Sequence, residues 1–101
     1  MPDVKTVKYL RDYKLEIVFE DGVRGTVDLS NYTKKGGIFS RLADKTYFKQ
    51  VYINNDIGTI CWQNGADIAP ETLYSMATGK PLPDWTKTRA WQVAEKKNKY
   101  T

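Results

Sequence analysis

The sequence predicts an α+β fold: a small, mainly antiparallel sheet of about five strands, two or three short helices and a C-terminal extension. Three observations lead there. Leu15, Ile17 and Phe19 alternate with Lys14, Glu16 and Glu20 directly before Asp21-Gly22, which marks a hairpin. A second pair of short apolar runs flanks Asn55-Asp56. Residues Pro70 to Gly79 carry helix start and stop signals around an apolar stripe of Leu73, Met76 and Ala77.

In chain order, Val4 to Leu10 reads as a first strand, with neither its buried face nor its place in the sheet settled by its apolar pattern. Lys14 to Glu20 is a half-buried strand. Asp21-Gly22 is expected to form a two-residue type I′ turn, because this dipeptide supplies positive φ angles at both central positions. The partner strand then points Val23, Gly25, Val27 and Leu29 inward, and Arg24, Thr26 and Asp28 outward. Ser30 to Gly37 reads as a loop. Ile38, Phe39 and Leu42 sit at helical spacing, and Asp44 is a good N-cap for a second helical turn through Phe48. Tyr47, Phe48 and Val51 are expected to cover the open face of the sheet. Val51–Asn54 and Ile57–Trp62 form the second hairpin. Asn64-Gly65 makes a further turn, and Pro70 suits the first turn of the last helix, where its missing N–H costs nothing. Gly79 is the expected C′ residue, and Pro81 and Pro83 block continuation. The compact domain is therefore placed at residues 1–79, and residues 80–101 form a basic, Trp-containing tail that is either helical or unstructured alone.

Composition removes several chemistries. A chain of 101 residues forms one domain, 41% hydrophobic and 28% charged as in ordinary globular proteins. Histidine is absent, so there is no Ser-His or Cys-His nucleophile pair and no imidazole metal site. Gly36-Gly37 lacks the Lys-Ser/Thr that a phosphate loop requires. Cys61, the single cysteine, has no internal disulfide partner, and no segment reads as a secretory signal or a membrane span. A cytoplasmic location is expected, with no cofactor, no metal and no membrane partner. The net charge of +4 lies in the tail: residues 1–79 hold ten basic and ten acidic groups, whereas residues 80–101 hold six basic groups against Asp84 and Glu95.

Two motifs, Phe19-x-Asp21-Gly22 and Trp62-x-Asn64-Gly65-x-Asp67-Ile68-x-Pro70-Glu71-x-Leu73-Tyr74, carry a family resemblance. Over residues 4 to 78 the chain resembles a small bacterial family named domain of unknown function 2442. That resemblance implies a compact α+β domain. It also implies company: members look like products of small-gene neighbourhoods, some with an added helix-turn-helix domain, a context suggesting toxin–antitoxin-like or regulatory partners. The 22 residues after Gly79 are too few for such an added domain.

Trp62, Asn64, Asp67 and Glu71 are the candidate pocket residues at the sheet end. The competing structural reading has Trp62 plugging the core, Asn64-Gly65 making the turn, and Asp67 capping the helix through an Asx-type bond, since Ala69 is a poor N-cap. Asp21 with Asp28, or Asp67 with Glu71, are the conceivable acid–base pairs, but no complete nucleophile, base and stabiliser set accompanies them. Cys61, between Ile60 and Trp62, reads as a buried small hydrophobe. In the tail, Trp85, Arg89 and Trp91 are the candidate partner-binding residues, because Trp and Arg are enriched at interface hot spots. The expected function is a non-enzymatic interaction or regulatory module with a protein partner. The alternative is a nucleic-acid-binding accessory protein whose basic tail, with Trp85, Trp91 and Tyr100, stacks on bases and neutralises phosphates. No oligomeric state is assigned.

Overall fold

The computed structural model describes residues 2–81; the expected tail helix and Trp85, Arg89 and Trp91 lie outside the described residues. Strands β1 (Val4–Arg11), β2 (Lys14–Phe19) and β3 (Arg24–Asp28) form an antiparallel sheet in the order β1-β2-β3. Strands β4 (Tyr52–Asn54) and β5 (Thr59–Cys61) form a separate antiparallel pair. The fold is thus α+β with its five strands divided three and two. The first strand lies at an edge of its sheet, and its start links the two sheets. The Asp3 carbonyl accepts from the Glu20 amide at 2.9 Å, and the Val4 amide donates to the Gly58 carbonyl at 2.9 Å.

Between the sheets run two 3₁₀ segments, Ser30–Lys34 and Gly37–Ala43, then helix α1 (Lys45–Phe48). The first 3₁₀ segment falls where the sequence suggested an irregular loop. Its turn closes because the Leu29 carbonyl accepts from the Tyr32 amide at 2.9 Å, while the Thr33 hydroxyl donates back to the Ser30 carbonyl at 2.7 Å. Asp44 caps α1 as expected, its Oδ1 accepting from the Thr46 amide at 2.9 Å. Helix α2 (Pro70–Thr78) ends where Gly79, with φ 75°, donates to the Ser75 carbonyl.

The turn at Asp21-Gly22 corrects the expected type I′ geometry. Gly22 has φ 87°, but Asp21 keeps a negative φ. The connection is a three-residue loop of Glu20, Asp21 and Gly22. The Gly22 amide donates to the Phe19 carbonyl at 2.9 Å, and the Phe19 amide to the Val23 carbonyl at 2.8 Å. The Asp21 carboxylate accepts from the Val23 amide at 3.0 Å. This is a type I turn followed by one left-handed residue, which needs a single glycine. The β4–β5 connection is also wider than Asn55-Asp56. Asn54 pairs with Thr59, so Ile57 belongs to the loop and is exposed.

The core collects the inward residues of β2 and β3 (Leu15, Ile17, Phe19, Val27, with Leu29 just beyond) under Leu42, Phe48, Ile60, Trp62, Ile68 and Leu73. Of the residues expected to face inward, Leu15, Ile17, Phe19, Val27, Leu29, Tyr47 and Phe48 are buried, whereas Val23, Gly25 and Val51 are half-buried at the margin. Gly25 faces α2, and a Cβ there would sit 2.8 Å from the Ala77 side chain and overlap the Ala77 carbonyl. The absence of a side chain lets the helix end approach β3. Gly25→Ala is expected to lower unfolding free energy by about 1–3 kcal/mol, because the helix must shift away. Chemical denaturation of the variant beside the wild type measures it.

Candidate functional site

The region around Trp62 is built by a second loop with the plan of the first. The Gly65 amide donates to the Trp62 carbonyl at 2.9 Å, and the Trp62 amide to the Ala66 carbonyl at 2.9 Å. Asn64 Oδ1 accepts from the Ala66 amide at 3.1 Å, and Gly65 has φ 92°. Phe19-x-Asp21-Gly22 and Trp62-x-Asn64-Gly65 are one structural device used twice. An aromatic ring points into the core, an Asx side chain ties the loop, and a glycine takes the left-handed position.

Trp62 is fully buried, with its indole N–H donating to the Phe48 carbonyl at 3.0 Å. It plugs the core and lines no opening. Asn64 stays at the surface, where its Nδ2 donates to the Ile38 carbonyl at 2.9 Å and its backbone N–H to the Tyr47 hydroxyl at 2.9 Å. Asp67 does not cap α2: Ala69 occupies the N-cap position and no side chain bonds the first amides. The reason is strand alternation. Asp67 bridges Cys61 in extended conformation, with Ala66 and Ile68 buried on one side, so its carboxylate faces the other way. The buried Thr59 hydroxyl holds this segment by donating to the Ile68 carbonyl at 2.6 Å. Glu71 stands in the first turn of α2, where a negative charge complements the free amides. The four candidate pocket residues are thus neighbours in sequence that face different surroundings.

An open groove of about 310 Å³ lies instead where Asn64 meets α1 and the second 3₁₀ segment, lined by Arg41, Tyr47, Gln50, Gln63 and Asn64. The Arg41 guanidinium stacks on the Tyr47 ring, 4.3 Å from its centroid. Tyr47 is itself buried apart from its rim. Ile38, 48% exposed, lies beside the groove, its carbonyl accepting from Asn64 Nδ2. Sequence reasoning missed Arg41, Gln50 and Gln63 as groove residues. Arg41 and Asn64 are 23 positions apart and meet only because Tyr47 bridges them, so no local motif announces the site.

The remaining acids sit in turns. Asp21 and Asp28 lie beyond opposite ends of β3 or at its last residue, and each bonds its own loop. The Asp21 carboxylate also accepts from the Tyr74 hydroxyl at 2.8 Å, which raises the phenol's pKa. Asp28 is held below the usual aspartate value, chiefly by the Ser30 amide, then by the Ser30 hydroxyl, with help from the Lys14 charge across the strand pair. Cys61 is buried and free. Among the described residues, no group of three or more Cys, Asp or Glu is arranged to hold a metal ion, and no helix is long and apolar enough to cross a membrane.

Two sheets of three and two strands, bound by twin Asx-glycine loops and closed by one amphipathic helix, define a small α+β scaffold domain. The family described as "Protein of unknown function (DUF2442)" matches residues 4–79, and the chain belongs to that family. No curated protein matches the chain, and no solved structure does.

Asn64→Ala removes the bonds to Ala66 and Ile38 together and is expected to cost about 1–3 kcal/mol, whereas Gln63→Ala at the exposed neighbouring position changes stability little. Thermal unfolding of the pair checks this. Because the folded pKa of Asp28 is depressed, its charge contributes stability above the unfolded value of about 3.9, and that contribution is lost as pH falls through the folded value. Asp28→Asn is therefore expected to be less stable than wild type at neutral pH, with the difference shrinking below about pH 4. Urea unfolding across that range measures the trend.

Proposed function

We propose that this chain is a cytoplasmic protein-interaction module that acts through surface contacts with a partner protein. One observation carries the reading. The Asx side chains of the signature, Asp21 and Asn64, are spent on their own loops, while an arginine over a tyrosine ring and two glutamines line an open groove with Asn64, and the exposed Ile38 lies next to it through its carbonyl's bond to Asn64. Arg and Tyr are the side chains that most often anchor protein interfaces, and an apolar neighbour beside them adds contact area. The segment from Lys80 onward, with Trp85, Arg89 and Trp91, supplies a second anchor of the same composition. A partner encoded nearby, as in a toxin–antitoxin-like pair, fits the company implied by the family resemblance.

The test is affinity capture from the native host with the full chain, followed by calorimetry with the purified partner. Cutting the chain after Pro81 is expected to leave a body that unfolds cooperatively, because α2 is already closed by Gly79, and to weaken partner affinity about tenfold or more. Full affinity in the shortened chain removes the tail from the interface. Failure of the intact chain to bind any protein overturns the reading.

A further inference from the structure

The balance of charge in residues 1–79 conceals a separation. Residues 30–50 hold five cations, Lys34, Lys35, Arg41, Lys45 and Lys49, against one acid, Asp44. Asp44 already bonds the Thr46 amide. Four of the five cations lie over tyrosine rings: Lys35 over Tyr32 at 5.1 Å, Arg41 over Tyr47 at 4.3 Å, Lys45 over Tyr13 at 5.6 Å and Lys49 over Tyr9 at 5.3 Å. The tyrosines are held in turn. Tyr13 donates to the Ala43 carbonyl, Tyr9 to the Asp12 carbonyl at 3.1 Å, and Tyr47 accepts from Asn64. Cation–π contact thus holds these charges against fixed rings, so a ligand need not freeze each side chain.

We propose that this face binds an acidic segment of a partner protein, with Arg41 in the groove taking a carboxylate as the central anchor. The inference rests on the interaction-module reading above and names the partner's chemistry and its place. Arg41 lines the groove together with Gln50, Gln63 and Asn64. The ion pairs among the described residues join Arg24 to Glu16 and Lys45 to Asp12, neither of them at the groove. A guanidinium backed by a ring presents its N–H fork outward, the geometry that takes a carboxylate through two parallel hydrogen bonds. The groove is open, so it suits a side chain carried on a larger partner better than an enclosed metabolite. Nucleic acid is the less suitable polyanion. The tyrosines beneath the cations are half-buried or buried and covered, leaving no open aromatic platform there for bases.

The experiment uses the full ¹⁵N-labelled chain titrated with a short glutamate-rich peptide and, separately, with a single-stranded oligonucleotide of matched charge. The peptide is expected to shift amides of residues 38–50 and 63–65, with affinity falling as salt rises. Arg41→Gln should weaken peptide binding about tenfold or more, the scale of a lost charged hydrogen bond. Gln63→Glu, an exposed change in the same groove, should weaken it also by repulsion. Arg41→Lys should recover only part of the loss, since the charge returns without the fork. Unchanged affinity in Arg41→Gln overturns the proposal, as do peptide shifts confined to residues 80–101. An oligonucleotide that binds tighter than the peptide, with equal sensitivity to Arg41→Gln, overturns the choice of an acidic protein. If the partner captured by the intact chain binds Arg41→Gln equally well, the interaction module survives and this site does not.

Discussion

The indole of Trp62 sits where the second hairpin, α1 and the aromatic residues of the three-stranded sheet converge. Its ring fills the centre between the second hairpin and α1, 5.8 Å from the Phe48 ring, which in turn meets Tyr13 and Tyr9 edge-on from the three-stranded sheet. Its N–H bonds the Phe48 carbonyl, one of the carbonyls that a helix of only four residues leaves without an intrahelical partner. A buried indole N–H without an acceptor would cost about 1–3 kcal/mol; here the Phe48 carbonyl meets it. Burial of the large ring adds more again, and an apolar replacement would leave a void and remove the shorter of the carbonyl's two hydrogen bonds, the other coming from the Val51 amide at 3.3 Å. Together with the Tyr13 bond to the Ala43 carbonyl and the Asn64 bond to the Tyr47 hydroxyl, this contact fixes α1, and hence Tyr47 and the groove.

The twin loops explain why the family signature falls where it does. Each must reverse the chain in three residues directly after a core aromatic, Phe19 or Trp62. That geometry demands glycine at the left-handed position and rewards an Asx side chain that accepts from the next amide. The loops differ in what the Asx side chain does with its second atom. Asp21 uses Oδ1 for the turn and accepts from the Tyr74 hydroxyl with Oδ2, where asparagine would present an NH₂ instead of an acceptor. Asn64 donates to the Ile38 carbonyl, which needs an N–H that aspartate lacks. Asp in one motif and Asn in the other is thus a statement about partners, since the turns themselves accept either. Signature residues of this kind report a scaffold.

Much of this was legible in the sequence where the physics is local. Alternation of Leu15, Ile17 and Phe19 located the buried face, Asp44 announced the start of α1, and Pro70 with Gly79 bounded α2. Local chemistry misled at two places. Asp-Gly is compatible with both a two-residue and a three-residue hairpin, and only the pairing of Phe19 with Val23 decides between them. Asp67 looked like a cap because Ala69 is a poor one and the helix's first amides need an acceptor, but its direction is fixed by the bridge to Cys61. The groove was illegible for a different reason. Tyr47 reads as a core residue and is one, yet its hydroxyl reaches the surface and receives the Asn64 amide, 17 residues away. A residue that serves the core with its ring and the surface with its oxygen gives no separate sign of the second role.

Charge placement raises a related point about totals. Ten cations against ten acids in residues 1–79 suggest an electrically featureless body with all basicity in the tail. The folded arrangement is different, because the stretch between the two sheets is almost purely cationic and its charges are seated on rings that the sheets supply. Tyr9 and Tyr13 come from β1 and the turn after it, whereas Lys45 and Lys49 come from α1. Such seating requires the tertiary fold, so the surface exists only in the folded chain. Exposed charges are screened over about 10 Å at ordinary ionic strength. A partner therefore senses the local cluster and not the neutral sum, and the scaffold's task of holding these cations in place links its packing to whatever it binds.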